Sequence, residues 1–301
     1  MKPKHVAFAV LVAFLWSLCF PLIETGHRAA PPLRFAAYRS FIAALSLLLP
    51  SVFFGLEWIK NKRIWKAAFW IALTYSVMGL GGMFLADSRV PPGVSTVLAN
   101  TQPIIAVIFS YLFLKEIITR RVLIGLAVCF AGIGIIALES YTSEDTGSLL
   151  GMFYIMIGAL GTGAGNTLMK LHSRTFDPKK LLGLQFLIAA AILYSVSLIS
   201  EGNQPTNWHT AFFWSLVVLA IPGTALVTVL WYYLLRIIEL NRLVVYTFLT
   251  PVFGILIGVL LFNERMSFIQ SIGIAFTLMG TFIVSVKAKA AGQGVLPRNL
   301  S

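Results

Sequence analysis

The sequence predicts an all-α integral membrane protein: ten transmembrane helices arranged as two inverted five-helix repeats. Three observations carry that prediction. The first is solvent. Of 301 residues, 58% are hydrophobic and 11% charged, with a mean hydropathy of +0.87, whereas a soluble domain carries about 25% charged residues. So little charge cannot cover a water-facing surface, so lipid must surround most of the chain. The second is repetition. Residues 99–138 and 247–286 align at a fixed offset of 148, which pairs Pro103 with Pro251, Glu116 with Glu264, Gly125 with Gly273 and Gly132 with Gly280. The third is parity. Each half holds five apolar spans, and two like-folded halves with an odd number of spans lie inverted in a membrane, as in many transporters. The halves are expected at 1–144 and 145–287, with a polar tail at 288–301 outside the fold.

A helix crossing the hydrocarbon core needs about 20 mostly apolar residues. Ten segments qualify, at roughly 5–24, 33–55, 65–86, 92–114, 121–139, 149–171, 180–200, 210–234, 242–262 and 267–287. The first follows Lys2 and Lys4 as a signal peptide would. Its apolar run from His5 to Ile23 is too long for that, and it ends without a small-x-small cleavage site. Trp16, Ser17 and Leu18 before Cys19 are also too bulky for lipoprotein cleavage. The second span contains Arg39, about 9 Å in from its outer end by helix rise. There it either attracts a substrate carboxylate or snorkels outward in a structural role. The third and eighth spans correspond at the repeat offset, with Tyr75, Ser76, Met78 and Gly79 at mid-depth in one and Pro222, Gly223 and Thr224 in the other.

Proline defines the fourth and ninth spans. Pro103 and Pro251 each remove a backbone donor and free a carbonyl, which lipid tolerates only where the site is packed or lines a wet cavity. Asn100, Thr101 and Gln102 precede the first kink, and Thr247 and Thr250 the second. Asn and Gln offer donors for a carboxylate and an acceptor for an ammonium; the alternative is interhelical hydrogen bonding. Trp16, away from the interfacial belts where Trp collects, and Tyr75 would give the site aromatic walls or simply fill space. Trp231 and Tyr246 lie nearer the cytoplasmic end. The expected substrate-binding set is therefore Trp16, Arg39, Tyr75, Asn100, Gln102 and Thr250, with Pro103 and Pro251 as hinges. Lys170, near a span end, is expected to snorkel. The repeated glycines of the fifth and tenth spans are expected to let backbones approach closely, and Glu116 and Glu264 to cap or pin helix ends.

Charge placement supplies orientation. Of 23 Lys and Arg, 18 fall at the termini and the even-numbered connections and four in the odd-numbered ones; Arg39 lies inside a span. Both termini are then cytoplasmic, and the net charge of +12 is an orientation signal, not a nucleic-acid footprint. Cys19 and Cys129 lie in apolar stretches without CxxC or His partners, so neither a disulfide nor a metal site is expected. The absence of HExxH and GxSxG motifs disfavours an enzyme, and no cofactor is expected. A channel would favour a continuous pore built from several subunits. All eleven carboxylates sit in connections or at span ends, leaving no intramembrane proton relay and favouring facilitated transport.

A proline in the fourth helix, a helix-ending Glu (Leu114-Lys115-Glu116 and Phe262-Asn263-Glu264) and a Gly-rich fifth helix, all repeated, resemble the EamA-like drug/metabolite transporter superfamily over Val6 to Val286. Within it the chain looks most like the aromatic amino-acid exporters of the YddG type. That resemblance implies export of aromatic or neutral amino acids, or related metabolites, across a bacterial inner membrane. It also implies a monomer or weak homo-oligomer whose partners are lipid and a small solute. The superfamily includes nucleotide-sugar, sugar-phosphate and drug carriers, so other solute classes stay open.

Overall fold

The computed structural model describes residues 2–19, 22, 23, 26, 29–52, 60–86, 90, 92–139, 149–262 and 266–286. Among them there is no strand. Ten helical spans follow one another: α1 (Pro3–Ser17), α2 (Pro32–Val52), α3 (Lys62–Ala86), α4 (Pro92–Leu114, in two pieces), α5 (Arg120–Glu139), α6 (Leu149–His172), α7 (Pro178–Ser200), α8 (Thr210–Ile237), α9 (Leu240–Phe262) and α10 (Phe268–Ser285). Nine contain a stretch long and apolar enough to cross a membrane; the described part of α1, at 15 residues, is shorter. The first span expected at 5–24 starts two residues earlier, at Pro3, where a missing N–H costs a helix nothing. Its expected far end includes residues outside those described, as do Glu264 and the 288–301 tail. Outward faces are greasy: Phe113, Leu138, Leu260 and Phe282 are each more than two-thirds exposed, which lipid accepts and water would not. The chain is a multi-pass membrane protein.

Proline and glycine shape the helices that matter. α4 is broken at Asn100 and Thr101, between Pro92–Ala99 and Gln102–Leu114, just before buried Pro103. α9 starts as Leu240–Leu243, tightens to a 3-10 stretch over Val244–Phe248, and becomes α-helical two residues before Pro251. In both, the distortion lies on the N-terminal side of the proline, where its ring crowds the preceding turn. α3 and α8 each widen to a π-helix, over Ala72–Gly81 and Ile221–Leu226. These stretches overlap at the repeat offset, and such widening is frequent at functional sites.

Glycines on α6 receive the widened turn of α3. A Cβ on Gly161 would stand 2.4 Å from Met78 Cβ, and one on Gly165 would stand 2.5 Å from Tyr75 Cβ. At the seam of α5 and α10 the approach is reciprocal. A Cβ on Gly132 would meet the Gly273 carbonyl oxygen at 2.6 Å, and one on Gly280 would meet that of Gly125 at 2.6 Å. Helix pairing has a pattern. α2 packs on α7 and α5 on α10; α3 packs on α6 as α1 does on α8; α4 packs on α6 as α1 does on α9. Exchanging helices one to five for six to ten converts each pairing into itself or another of the set.

Carboxylates tie the ends. The two oxygens of Glu116, just beyond α4, accept from the Leu240 and Asn241 amides at 2.8 and 3.0 Å, capping the start of α9. Glu201 does the same for α2, accepting from the Leu33 amide at 2.7 Å and the Arg34 amide at 3.2 Å. Lys170, near the end of α6, donates from Nζ to the Leu235 and Ile238 carbonyls at 2.6 and 2.5 Å, closing the C-terminal end of α8.

Candidate functional site

A cavity of about 350 Å³ opens at the centre of the bundle, walled chiefly by α1, α3, α4, α6, α8 and α9. Trp16, Arg39, Tyr75, Asn100, Gln102 and Thr250 all line it, and so does Pro251; Pro103 is buried and does not. Six residues from five helices therefore share one space. The distorted segments meet there, because a broken or widened helix leaves backbone groups that lipid cannot satisfy but a polar cavity can.

Each wall has its own chemistry. On α1, half-buried Trp16 stacks at 5.1 Å and 55° on Trp231, whose Nε1–H donates to Asn166 Oδ1 at 2.7 Å. Asn166 itself lines the cavity, so an α8 indole and an α6 amide fix the ring at the wall. On the π stretch of α3, Tyr75 lines the cavity together with Thr228 of α8. At the α4 break, the Asn100 side-chain amide nitrogen donates to the Thr96 carbonyl one turn back at 2.8 Å, leaving its own side-chain oxygen for a donor. Gln102 opens the second segment of α4, and Thr250 flanks Pro251 on the opposite side.

Arg39 is the electrostatic centre. It lies seven residues into α2, about 10 Å along the axis, yet it does not snorkel to the helix end. The side chain is 5% exposed, and Nε–H donates to Thr224 Oγ1 at 2.6 Å. Thr224 passes its own proton to the Leu219 carbonyl at 2.8 Å, a carbonyl beside the π stretch of α8. Among the described residues no carboxylate pairs with the guanidinium, and none lines the cavity. Burying an unpaired cation costs several kcal/mol even after relaxation, and a single hydroxyl partner offsets only part of that. The cavity is thus positively biased and walled by aromatic and hydroxyl groups. Among the described residues, no three His, Cys, Asp or Glu side chains are grouped to hold a metal.

The EamA-like transporter family model matches the chain twice, over residues 3–138 and 149–286. The chain belongs to the EamA-like transporter family. It is a membrane transporter, not an enzyme. Relatives align over nearly its whole length. An uncharacterized transporter of Bacillus subtilis, YvbV, is 25% identical over 94% of this chain and 92% of its own. A probable amino-acid metabolite efflux pump of Escherichia coli is 25% identical over 94% and 95%. A protein crystal structure superposes with a TM-score of 0.78 at 17% identity, covering 95% of this chain and 97% of that one, which shows a shared fold.

Sequence reasoning missed several of the cavity's residues. Asn166 sits in the Gly-rich run of α6, and its signal was an amide placed mid-span among small residues. Thr228 lies one helical turn after Thr224, on the same face of α8. Cys19, for which only a disulfide and a metal site are excluded above, is buried and lines the cavity, with Sγ 3.6 Å from the Gly223 carbonyl. Trp231, set aside for its position near a helix end, acts from behind Trp16.

Proposed function

We propose that the protein exports aromatic or neutral amino acids, or closely related metabolites, across a bacterial inner membrane by alternating access. On this reading residues 1–144 and 145–287 are inverted five-helix halves, both termini are cytoplasmic, and the halves rock about the central cavity. Trp16, Arg39, Tyr75, Asn100, Gln102 and Thr250 bind the solute, and Pro103 and Pro251 are the flexible points. The observation that carries it is the cavity, where a buried Arg39, without a carboxylate partner among the described residues, shares the space with polar groups at two helix distortions and an aromatic wall at Trp16. Support also comes from the double family match, from pairings that interchange between halves, and from the relative named as an amino-acid metabolite efflux pump. Among the described residues no carboxylate or histidine lines the cavity, which supports movement of the solute down its own gradient without a dedicated proton relay.

Uptake of a radiolabelled amino-acid panel into proteoliposomes tests this, with wild type beside Asn100→Ala and Trp16→Ala. Saturable uptake that both variants lose is the expected result. Empty traces for every amino acid would move the function to another solute class, and stoichiometric proton flux coupled to uptake would overturn the facilitative mechanism.

A further inference from the structure

We infer that the carboxylate is the pole by which this protein recognises its solute, that Arg39 with Thr224 receives it, and that the amino group is dispensable. The inference rests on the carrier reading above and narrows it to monocarboxylates with an apolar or aromatic body, aminated or not.

The asymmetry of the cavity carries the argument. A carboxylate entering it meets a full countercharge: the Arg39 guanidinium, 5% exposed and lining the space, with only Nε engaged among the described residues. The Nη1–Nη2 edge is thus left for a paired, two-oxygen contact, the geometry guanidinium offers carboxylates. Thr224 holds the group from behind at 2.6 Å and spends its own proton on the Leu219 carbonyl, so it orients the guanidinium without competing for the ligand. An ammonium meets nothing equivalent. Among the described residues no Asp or Glu lines the cavity, and its best acceptors are neutral, such as the Asn100 side-chain oxygen. Neutral acceptors return less than a charged partner to a group losing its hydration. Trp16, held in place by Trp231 and Asn166, offers a flat surface for the solute's body.

The test is equilibrium binding to the purified full-length protein, read by calorimetry, with three probes of one shape: phenylalanine, 3-phenylpropionate and phenethylamine. Phenylalanine and 3-phenylpropionate are expected within about threefold of each other, and phenethylamine at least ~10-fold weaker, the range that one lost charge-assisted hydrogen bond spans. Arg39→Gln should erase that preference; Thr224→Val should shrink it and serves as the second variant if the first does not fold. Phenethylamine binding as tightly as 3-phenylpropionate overturns the inference, as does an unchanged acid-to-amine ratio in a folded Arg39→Gln protein. So does failure of every carboxylate to bind. The carrier reading fails separately: acid-selective binding without uptake in liposomes would leave the carboxylate site standing and remove the transport of these solutes. Amino-acid uptake with amine-tolerant binding would do the reverse.

Discussion

α4 and α9 hold proline at the same repeat position and end in the same Leu/Phe-x-Glu pattern, yet they sit in different surroundings. Of the apolar window in α9, 50% is buried; of that in α4, only 22%. The start of α9 is fastened, with its first amides on Glu116 and Leu240, Asn241 and Leu243 fully buried. In α4, residues 94–102 are half-buried, and Ser95, Thr96 and Ala99 edge the cavity. Repeat-related segments thus occupy two unlike conformations in one molecule. On the proposed alternating-access reading, exchanging those two conformations would be the transport step.

The comparison can be broken first at the seam that holds the halves together. Gly132→Leu drives a side chain into the Gly273 carbonyl and Thr277, so a loss above ~3 kcal/mol is expected from overpacking. Folded yield in detergent and the unfolding temperature would record it. Glu116→Ala comes next. It frees two buried amides at the start of α9 and should cost about 2–3 kcal/mol. It should also raise, several-fold, the labelling rate of a thiol introduced by Leu243→Cys in a background lacking Cys19 and Cys129. Unchanged labelling would mean that Glu116 does not hold this end closed.

Smaller effects sharpen the contrast. Pro103→Ala and Pro251→Ala should leave insertion intact and alter turnover, measured as uptake per folded protein. Equal, wild-type rates in both would remove the hinge role. Gly134→Ala is the smallest. It lies on α5 beside the seam, but its Cβ would meet nothing within 4 Å, so stability should change by less than about 1 kcal/mol. A large effect there would show that the seam is not specific to its four reciprocal glycines.

Much of this architecture was legible in the sequence. Apolar runs predict the spans because lipid demands them, and the 148-residue offset places Pro103, Pro251 and the four seam glycines before any coordinates are seen. The expected binding residues do converge on one cavity, since polar groups at mid-depth have few other places to go. What the sequence hides is direction. Nothing in a helical span says whether Arg39 turns toward the helix end or toward Thr224, a residue 185 positions away. The helix widening over Ala72–Gly81 was equally invisible: it answers the glycine face of α6, a tertiary cause with no local signature beyond Gly79 and Gly81. The partners of Lys170 are hidden for the same reason, because they are carbonyls on another helix.

Trp16 and Trp231 have an optical consequence. Trp231 is 1% exposed, with its indole N–H occupied by Asn166, while its stacking partner Trp16 faces the cavity. One chromophore of the pair is shielded from the cavity, and the other lines it. With rings only 5.1 Å apart, their excited states are coupled, so occupancy of the cavity is written into the protein's own ultraviolet emission. Transport could then be followed turnover by turnover without a label.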